Sequence, residues 1–443
     1  MSSTRFAPAG SLRGSLRPPS DKSISHRAAL IAAMGEGETE TIVEGYLDAA
    51  DTRSTLRAVQ ALGAEVVEEG LGKGEGVAGA RGLQLRIRGI GLRNPKAANI
   101  DVGNAGTLLR LLPGWLAGQA GGEWTLDGDE SIRRRPVDRI AIPLREMGAD
   151  LTAREDRLPP LEVRGAPLHG ITYEMPIASA QVKSCLLFAG LLAEGETRVV
   201  EPAASRDHTE AMLKAAGVSV WREESTGTVV LQPAEKLEPD DLLVPADISS
   251  AAFFLTAAVL VPGSEVELRW VNVNPTRTGL LTILERMGAA IEVEDERETG
   301  GEPIATLRVR STPLRATEVG GAEIPLAIDE LPLVALAACF AEGTTVIRDA
   351  EELRRKESDR VETVTAALRA LGGSVEPTAD GMVVEGTGGL AGGTIDSHGD
   401  HRIAMLGAVA GLASREGVEV HGMDAAAVSY PGFERDLGSL TAR

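Results

Sequence analysis

Two kinds of helix alternate along this chain, and each recurs six times. The first kind is apolar nearly all round: an uncharged run, a Gly-containing turn, then a β-rich stretch. KSISHRAALIAAMGEGETETIV, SAQVKSCLLFAGLLAEGETRVV and ADISSAAFFLTAAVLVPGSEVEL are three of the copies. The six open near Lys22, Asn104, Ser179, Asp247, Asp329 and Asp400, in steps of 82, 75, 68, 82 and 71 residues. A helix without a polar face is a buried helix. The second kind is amphipathic and charged, ends in glycine and runs into a strand: ALGAEV (Gly63), EMGADL (Gly148), AAGVSV (Gly217), RMGAAI (Gly288), ALGGSV (Gly372) and DLGSL (Gly438). Glycine there takes the left-handed turn that closes a helix. Two landmarks with one count and one spacing predict six α/β units of about 75 residues. Because the long step of 82 returns after three units, the six are expected in two sets of three, with a boundary around Leu242 to Asp247.

Composition narrows the function. The 443 residues are 43% apolar and 25% charged, an ordinary globular chain. With 45 Lys and Arg against 65 Asp and Glu, the net charge is −20. That balance, with aromatics at 3%, argues against a nucleic-acid partner and against an anionic membrane surface. The longest uncharged stretch, Ile248 to Ser264, is too short and too polar to span a bilayer. The first twenty residues hold no apolar stretch of the kind a secretory signal needs. The two cysteines, Cys185 and Cys339, lie in apolar runs, which excludes a disulfide scaffold or a cysteine metal site and fits a reducing compartment, the cytoplasm. No paired-histidine or EF-hand spacing occurs, so no metal is expected. A formal GxGxxG from Gly74, in GKGEGVAG, has no helix pattern after it and reads as a loop.

The candidate chemistry lies where the buried helices begin. Their starts are polar: Lys22-Ser23-Ser25-Arg27, Asn104-Gly106-Thr107-Arg110, Ser179-Gln181-Lys183, Asp247-Ser249-Ser250, Asp329-Glu330 and Asp400-His401-Arg402. Ser, Asn and Asp there are ordinary N-caps. Cations are not, because the helix dipole is already positive at that end. Lys22, Arg27, Arg110 and Arg402 therefore predict anions at these termini, which are natural anion sites. On a chain of net charge −20, such a site must be a local concentration of cations. Three further segments are candidates. Arg133, Arg134 and Arg135 precede Pro136; SRDHTEAML opens an ordinary helix; EELRRKESDRV is either a salt-bridged helix entry or an acid held beside an anion.

DKSISHR, GNAGTLLR, GDESIRRRP, ASAQVKS, SRDHTE, NPTRTG, IDELP, EELRRKESDR and GDHRIAM, running from residue 21 to 405, resemble in order the 5-enolpyruvylshikimate-3-phosphate synthase family, the 3-phosphoshikimate 1-carboxyvinyltransferases. The details are similar to the second sequence class of that family. The resemblance implies an α/β fold, a two-domain inside-out barrel with three βαβαββ units per domain around buried helices. It places the N-terminal domain at 21–246, a C-terminal domain at 1–20 plus 247–443, and the active site in the interdomain cleft. It implies transfer of the enolpyruvyl group of phosphoenolpyruvate to the 5-hydroxyl of shikimate 3-phosphate, with release of phosphate, no cofactor, a monomeric state and inhibition by glyphosate. The alternatives weighed are UDP-N-acetylglucosamine 1-carboxyvinyltransferase, whose family typically shows Lys-Asn where Lys22-Ser23 stands, and a non-catalytic repeat protein that binds a phosphorylated metabolite.

Carried residue by residue, the resemblance assigns Lys22, Ser23, Arg27, Ser179, Ala180, Gln181, Ser205, Asp329 and Lys356 to shikimate 3-phosphate. Lys22, Gly106, Arg135, Gln181, Arg360 and Arg402 fall to phosphoenolpyruvate. Asp329 is expected as the base toward the 5-hydroxyl and Glu357 as the acid at C3, with Lys22 a rival acid. The chain departs from the family at Val428, in VSYPGF, where many members have a lysine that reaches phosphoenolpyruvate. It also departs at Ala180, Glu352 and Leu111, where Ser, Asn and Pro are frequent.

Overall fold

The structure, a computed structural model, describes residues 3–37, 40–69 and 82–441; the GKGEGVAG segment lies outside the described residues. The chain divides into two compact units. A terminal unit comprises Met1–Pro19, Pro245–Arg297 and Pro303–Arg443, and a central unit comprises Ser20–Val244 and Glu298–Glu302. Each unit has its own continuous apolar core.

All six apolar runs form buried helices. In the central unit they are Lys22–Met34, Gly106–Ala117 and Ala180–Gly190. In the terminal unit they are Ile248–Leu260, Leu331–Ala338 and His401–Ala413. Every residue of Ile248–Leu260 is buried, as its unbroken apolar pattern requires. The charged runs form the helices Ala50–Leu62, Asp138–Glu146, His208–Ala215, Gly279–Arg286, Arg360–Ala370 and Phe433–Thr441. Gly63, Gly148, Gly217, Gly288 and Gly372 all have positive φ and end five of them. Gly438 does not: it lies inside Phe433–Thr441. DLGSL is therefore part of a helix and not a sixth turn. Within the helix Gly438 needs no left-handed φ and has none.

Six small sheets, three in each unit, complete the α/β fold. In each, one parallel pair flanks antiparallel strands. Four of the parallel pairs enclose a buried helix in the usual crossover: Ala98–Asp101 with Glu123–Asp127, Thr172–Glu174 with Thr197–Val200, Glu318–Val319 with Thr344–Ile347, and Gly393–Asp396 with Val418–His421. The other two units exchange their first strands. Arg13–Leu16, which precedes the Lys22–Met34 helix, pairs with Glu265–Asn272 in the terminal unit. Leu242–Leu243, which precedes the Ile248–Leu260 helix, pairs with Glu40–Tyr46 in the central unit. The exchange accounts for the chain passing from one unit to the other after Pro19 and again after Val244.

Candidate functional site

In the terminal unit, the starts of the buried helices Leu331–Ala338 and His401–Ala413 meet the start of the charged helix Arg360–Ala370 around Asp329. Its Oδ1 lies 3.4 Å from Lys356 Nζ and 3.4 Å from Arg360 Nη1, and its Oδ2 lies 3.8 Å from Arg402 Nη2. Three cations therefore face one carboxylate. Arg360 is the most enclosed, with its side chain 1% exposed. It opens the Arg360–Ala370 helix, whose cap Asp359 accepts the Glu362 amide at 3.2 Å. Its Nε donates to Asp400 Oδ2 at 2.9 Å, and its Nη2 to Glu357 Oε2 at 2.6 Å. Burial works against the charge on this guanidinium, but Glu357, Asp400 and Asp329 outweigh it and hold the proton more tightly than usual. The converse holds at Asp400: burial alone would raise its carboxyl, and the Arg360 charge and hydrogen bonds bring it below the usual range. Asp400 also caps the His401–Ala413 helix, accepting the Arg402 amide at 2.9 Å.

The EELRRKESDR segment is thus both things its composition allowed. Arg354 pairs with Asp359 and Glu362, and Arg355 with Glu351, as in a salt-bridged helix entry. Lys356, Glu357 and Arg360 turn toward Asp329 and Asp400 instead.

In the central unit, Lys22 is the first residue of its helix, behind the cap Asp21. Its Nζ is 3.2 Å from Asp51 Oδ2, and Asp51 itself is buried at the start of Ala50–Leu62. Ser23, half-buried, follows it. Arg27, one turn on, is buried: Nε donates to Thr209 Oγ1 at 2.7 Å, Nη2 to Ser184 Oγ at 2.9 Å and Nη1 to the Ser23 carbonyl at 2.9 Å. Ser179 caps the next helix, with Ala180 at its first position. Gln181 Nε2 reaches Thr107 Oγ1 at 3.1 Å, which joins two helix starts.

The Gly106 start is not capped by Asn104, as its residue type suggested; no side chain caps it. The Asn104 amide bridges instead, donating to Asp129 Oδ2 at 2.7 Å and accepting from Arg135 Nη2 at 3.0 Å. A Cβ on Gly106 would stand 2.8 Å from Arg135 Nη1 and 2.9 Å from Arg110 Nη1. The absent side chain is what lets two guanidinium groups approach one helix terminus. Arg133 and Arg134 pair with Asp127 and Glu130 on the surface and take no part.

Lys183, at the third of these helix starts, has a different role. It is completely buried, with Nζ 3.0 Å from Glu201 Oε2 and 2.7 Å from Glu210 Oε1. Glu201 also accepts from the buried Ser205 hydroxyl and from Arg222. The lysine is a buried counter-ion that fastens the Ser205 loop, not a cation offered to a ligand. One turn into an apolar helix it cannot reach solvent, so carboxylates come to it.

Sequence reasoning missed the acids. Asp51, Glu201 and Glu210 sit in other segments, and pairing across the fold leaves no local signal. Glu330 and Asp400 were noted only as helix starts. Half-buried Val428 ends a short 3-10 turn, Met423–Val428, and Glu352 lies in another, Glu351–Arg355. Burial pushes both thiols up, Cys339 to about 12, so neither is a ready nucleophile. Among the described residues, no three His, Cys, Asp or Glu are placed to hold a metal ion, and no helix is long and apolar enough to cross a membrane.

The chain is similar to known proteins over nearly its whole length. The sequence profile of the family described as EPSP synthase (3-phosphoshikimate 1-carboxyvinyltransferase) matches residues 6–437. A 3-phosphoshikimate 1-carboxyvinyltransferase of Synechococcus sp. strain JA-3-3Ab is 48% identical over 438 residues, covering 98% of this chain and 96% of the relative. One from Gloeobacter violaceus is 49% identical over 438 residues, covering 98% of each. The solved EPSP synthase of Acinetobacter baumannii superposes with a TM-score of 0.85 at 41% identity, covering 99% of this chain and 98% of that one.

Proposed function

The chain belongs to the EPSP synthase family, and on that premise we propose how its residues divide the family's reaction. The enzyme transfers the enolpyruvyl group of phosphoenolpyruvate to the 5-hydroxyl of shikimate 3-phosphate and releases phosphate, a step of the shikimate pathway toward aromatic amino acids. The hydroxyl oxygen bonds to C2 of phosphoenolpyruvate while C3 takes a proton. The tetrahedral adduct then loses phosphate and a C3 proton. An acid and a base are needed near C3 and the hydroxyl, together with cations for phosphate and carboxylate.

The observation that carries the assignment is the convergence of Lys356, Arg360 and Arg402 on Asp329, with Glu357 on Arg360. Asp329 takes the 5-hydroxyl proton as the base. Its three cations are the groups that the phosphate and carboxylate of the substrates would engage. Glu357 is the acid at C3, with Lys22 the other candidate. Arg360 and Arg402, with Gly106, Arg135, Gln181 and Lys22 from the central unit, hold phosphoenolpyruvate. Ser23, Arg27, Ser179, Ala180, Gln181 and Ser205, with Lys22, Asp329 and Lys356, hold shikimate 3-phosphate. The two free, buried cysteines support action in a reducing cytoplasm, and a monomer is the expected state, checked by light scattering. Glyphosate is expected to compete with phosphoenolpyruvate, because Gly106 leaves Arg110 and Arg135 uncovered by any Cβ. Undiminished turnover with glyphosate well above the phosphoenolpyruvate concentration would refute this.

Phosphate release by the purified protein tests the whole assignment. Release is expected only with both substrates together. Asp329→Ala and Glu357→Gln are expected to abolish it while calorimetry still detects shikimate 3-phosphate binding. Binding without release in the wild-type chain would leave a metabolite-binding protein instead.

A further inference from the structure

The IDELP and NPTRTG segments contain two buried charges that the reaction does not use, Glu330 and Arg277. The structure joins them. Glu330 is 1% exposed and lies immediately before the Leu331–Ala338 helix. Its Oε1 accepts from the hydroxyl of Ser249, in the first turn of the Ile248–Leu260 helix. The same hydroxyl accepts from Arg277 Nη2 at 2.8 Å, and that guanidinium, 2% exposed, is also 3.2 Å from the cap Asp247. On its other side, Glu330 Oε1 lies 3.5 Å from Arg402 Nη1. Arg402 Nη1 donates to the Asp329 carbonyl at 3.0 Å, and its Nη2 faces the Asp329 carboxylate. One hydrogen-bonded line, Arg277–Ser249–Glu330–Arg402, therefore ties together the starts of all three buried helices in this unit.

We propose that Glu330 is a positioning residue that, held by Ser249 and Arg277, fixes the Arg402 guanidinium beside Asp329 and so sets the affinity for phosphoenolpyruvate. The proposal rests on the assignment of Arg402 to that substrate. A carboxylate this deeply buried is tolerated only when paired and hydrogen-bonded. Arginine has a long side chain whose freedom is lost when it is held against a substrate. Prior ordering removes that loss from the binding step. Simple neutralisation would need only a cation nearby. Here the carboxylate is held from one side by a hydroxyl that cannot move without disturbing Arg277, and it presents one oxygen to Arg402.

Steady-state kinetics of Glu330→Gln, Arg402→Lys, the double variant and Ser249→Ala test this. Glutamine keeps the shape of Glu330 and removes its charge. Glu330→Gln is expected to raise the KM for phosphoenolpyruvate about tenfold, the scale of a lost charge-assisted hydrogen bond, with kcat within about twofold and shikimate 3-phosphate affinity unchanged. Ser249→Ala, which keeps the carboxylate, is expected to raise the same KM about threefold by releasing the tether. In the Arg402→Lys background, adding Glu330→Gln is expected to change KM by less than about twofold, because coupled residues are not additive. Independent, multiplying effects would overturn the proposal, as would a fall in kcat with KM unmoved. If Glu330→Gln does not fold, an unchanged KM in Ser249→Ala overturns it. A normal KM in Arg402→Lys overturns the assignment of Arg402 and the proposal with it. A raised KM there beside a normal one in Glu330→Gln overturns the proposal alone.

Discussion

Asp329 stands where an anion would be expected to stand. Cations at helix starts need an anion to neutralise them, and the sequence alone points to a ligand as its source. In the terminal unit the protein supplies the charge itself, through Asp329, Glu357 and Asp400. Removing the central carboxylate should therefore do two things at once. Asp329→Ala is expected to lose at least about 1000-fold in turnover, as for a lost general base and positioning group, yet to bind inorganic phosphate more tightly than the wild type by calorimetry. Weaker phosphate binding would mean that the three cations need Asp329 to hold them in place. Gly106 gives a prediction of opposite character. A Cβ there meets only the ends of two flexible side chains, so Gly106→Ala is expected to fold normally. Arg135 and Arg110 must then draw back, and the KM for phosphoenolpyruvate should rise severalfold. An unaltered KM would place that substrate elsewhere. His26 is buried beside Thr55, with Nδ1 2.6 Å from the Thr55 hydroxyl, and burial lowers its pKa from 6.5 to about 3. Between those values the unfolded chain binds a proton that the folded chain refuses. The stability held above pH 6.5 is lost as pH falls, at about 1.4 kcal/mol per pH unit. A His26→Gln variant should show a correspondingly flatter loss of urea stability from pH 6.5 to 4.5. Parallel curves would exclude His26 as the source.

At the scale of elements, the buried helices carry both the fold and the site, and this is why so much was legible. An apolar run, a polar start and a Gly exit are local signals, so the six units could be counted from the chain, and Ser179, Asp247 and Asp400 prove to cap as their residue types suggest. Asn104 stands one residue ahead of the cap position, Ala105, and Asp129 and Arg135 compete for its side chain. That competition is decided by residues dozens of positions away. The buried pairing of Lys183 was illegible for the same reason. Asp400 joins the two levels, being cap and counter-ion together. Asparagine caps as well as aspartate, so Asp400→Asn should keep the His401–Ala413 helix but leave the buried Arg360 without one full charge. Breaking such a pair costs about 3–5 kcal/mol, and the neutral hydrogen bond that remains should reduce the loss to about 2–3 kcal/mol. Urea unfolding checks this. A loss under about 0.5 kcal/mol would mean that Glu357 and Asp329 suffice to hold Arg360.

On the scale of the molecule, a chain of net charge −20 must hold substrates that are themselves strongly anionic. Screening resolves the conflict, since the Debye length is about 8 Å at physiological salt. Beyond that distance the general negative charge is muted, and within it the local cations decide. Shikimate 3-phosphate, the proposed ligand of Lys22, Arg27 and Lys356, should stabilise the fold by linkage. A ligand that binds only the folded state adds about 2.7 kcal/mol at a concentration of 100 times its Kd. Each unit is a little over two hundred residues, and domains of that size shift by about 2–4 °C per kcal/mol. Saturating shikimate 3-phosphate should therefore raise the melting temperature by about 5–10 °C. Sulfate at the same ionic strength should give much less, because it offers one anionic group where the substrate offers a phosphate, a carboxylate and hydroxyls. Lys22→Met should shrink the shift without lowering the melting temperature of the free protein much, since Lys22 is part-exposed and its ion pair is with Asp51. An equal rise with sulfate would reduce the substrate effect to general anion binding. A melting temperature that does not move at saturation would remove these cations from the binding of shikimate 3-phosphate altogether.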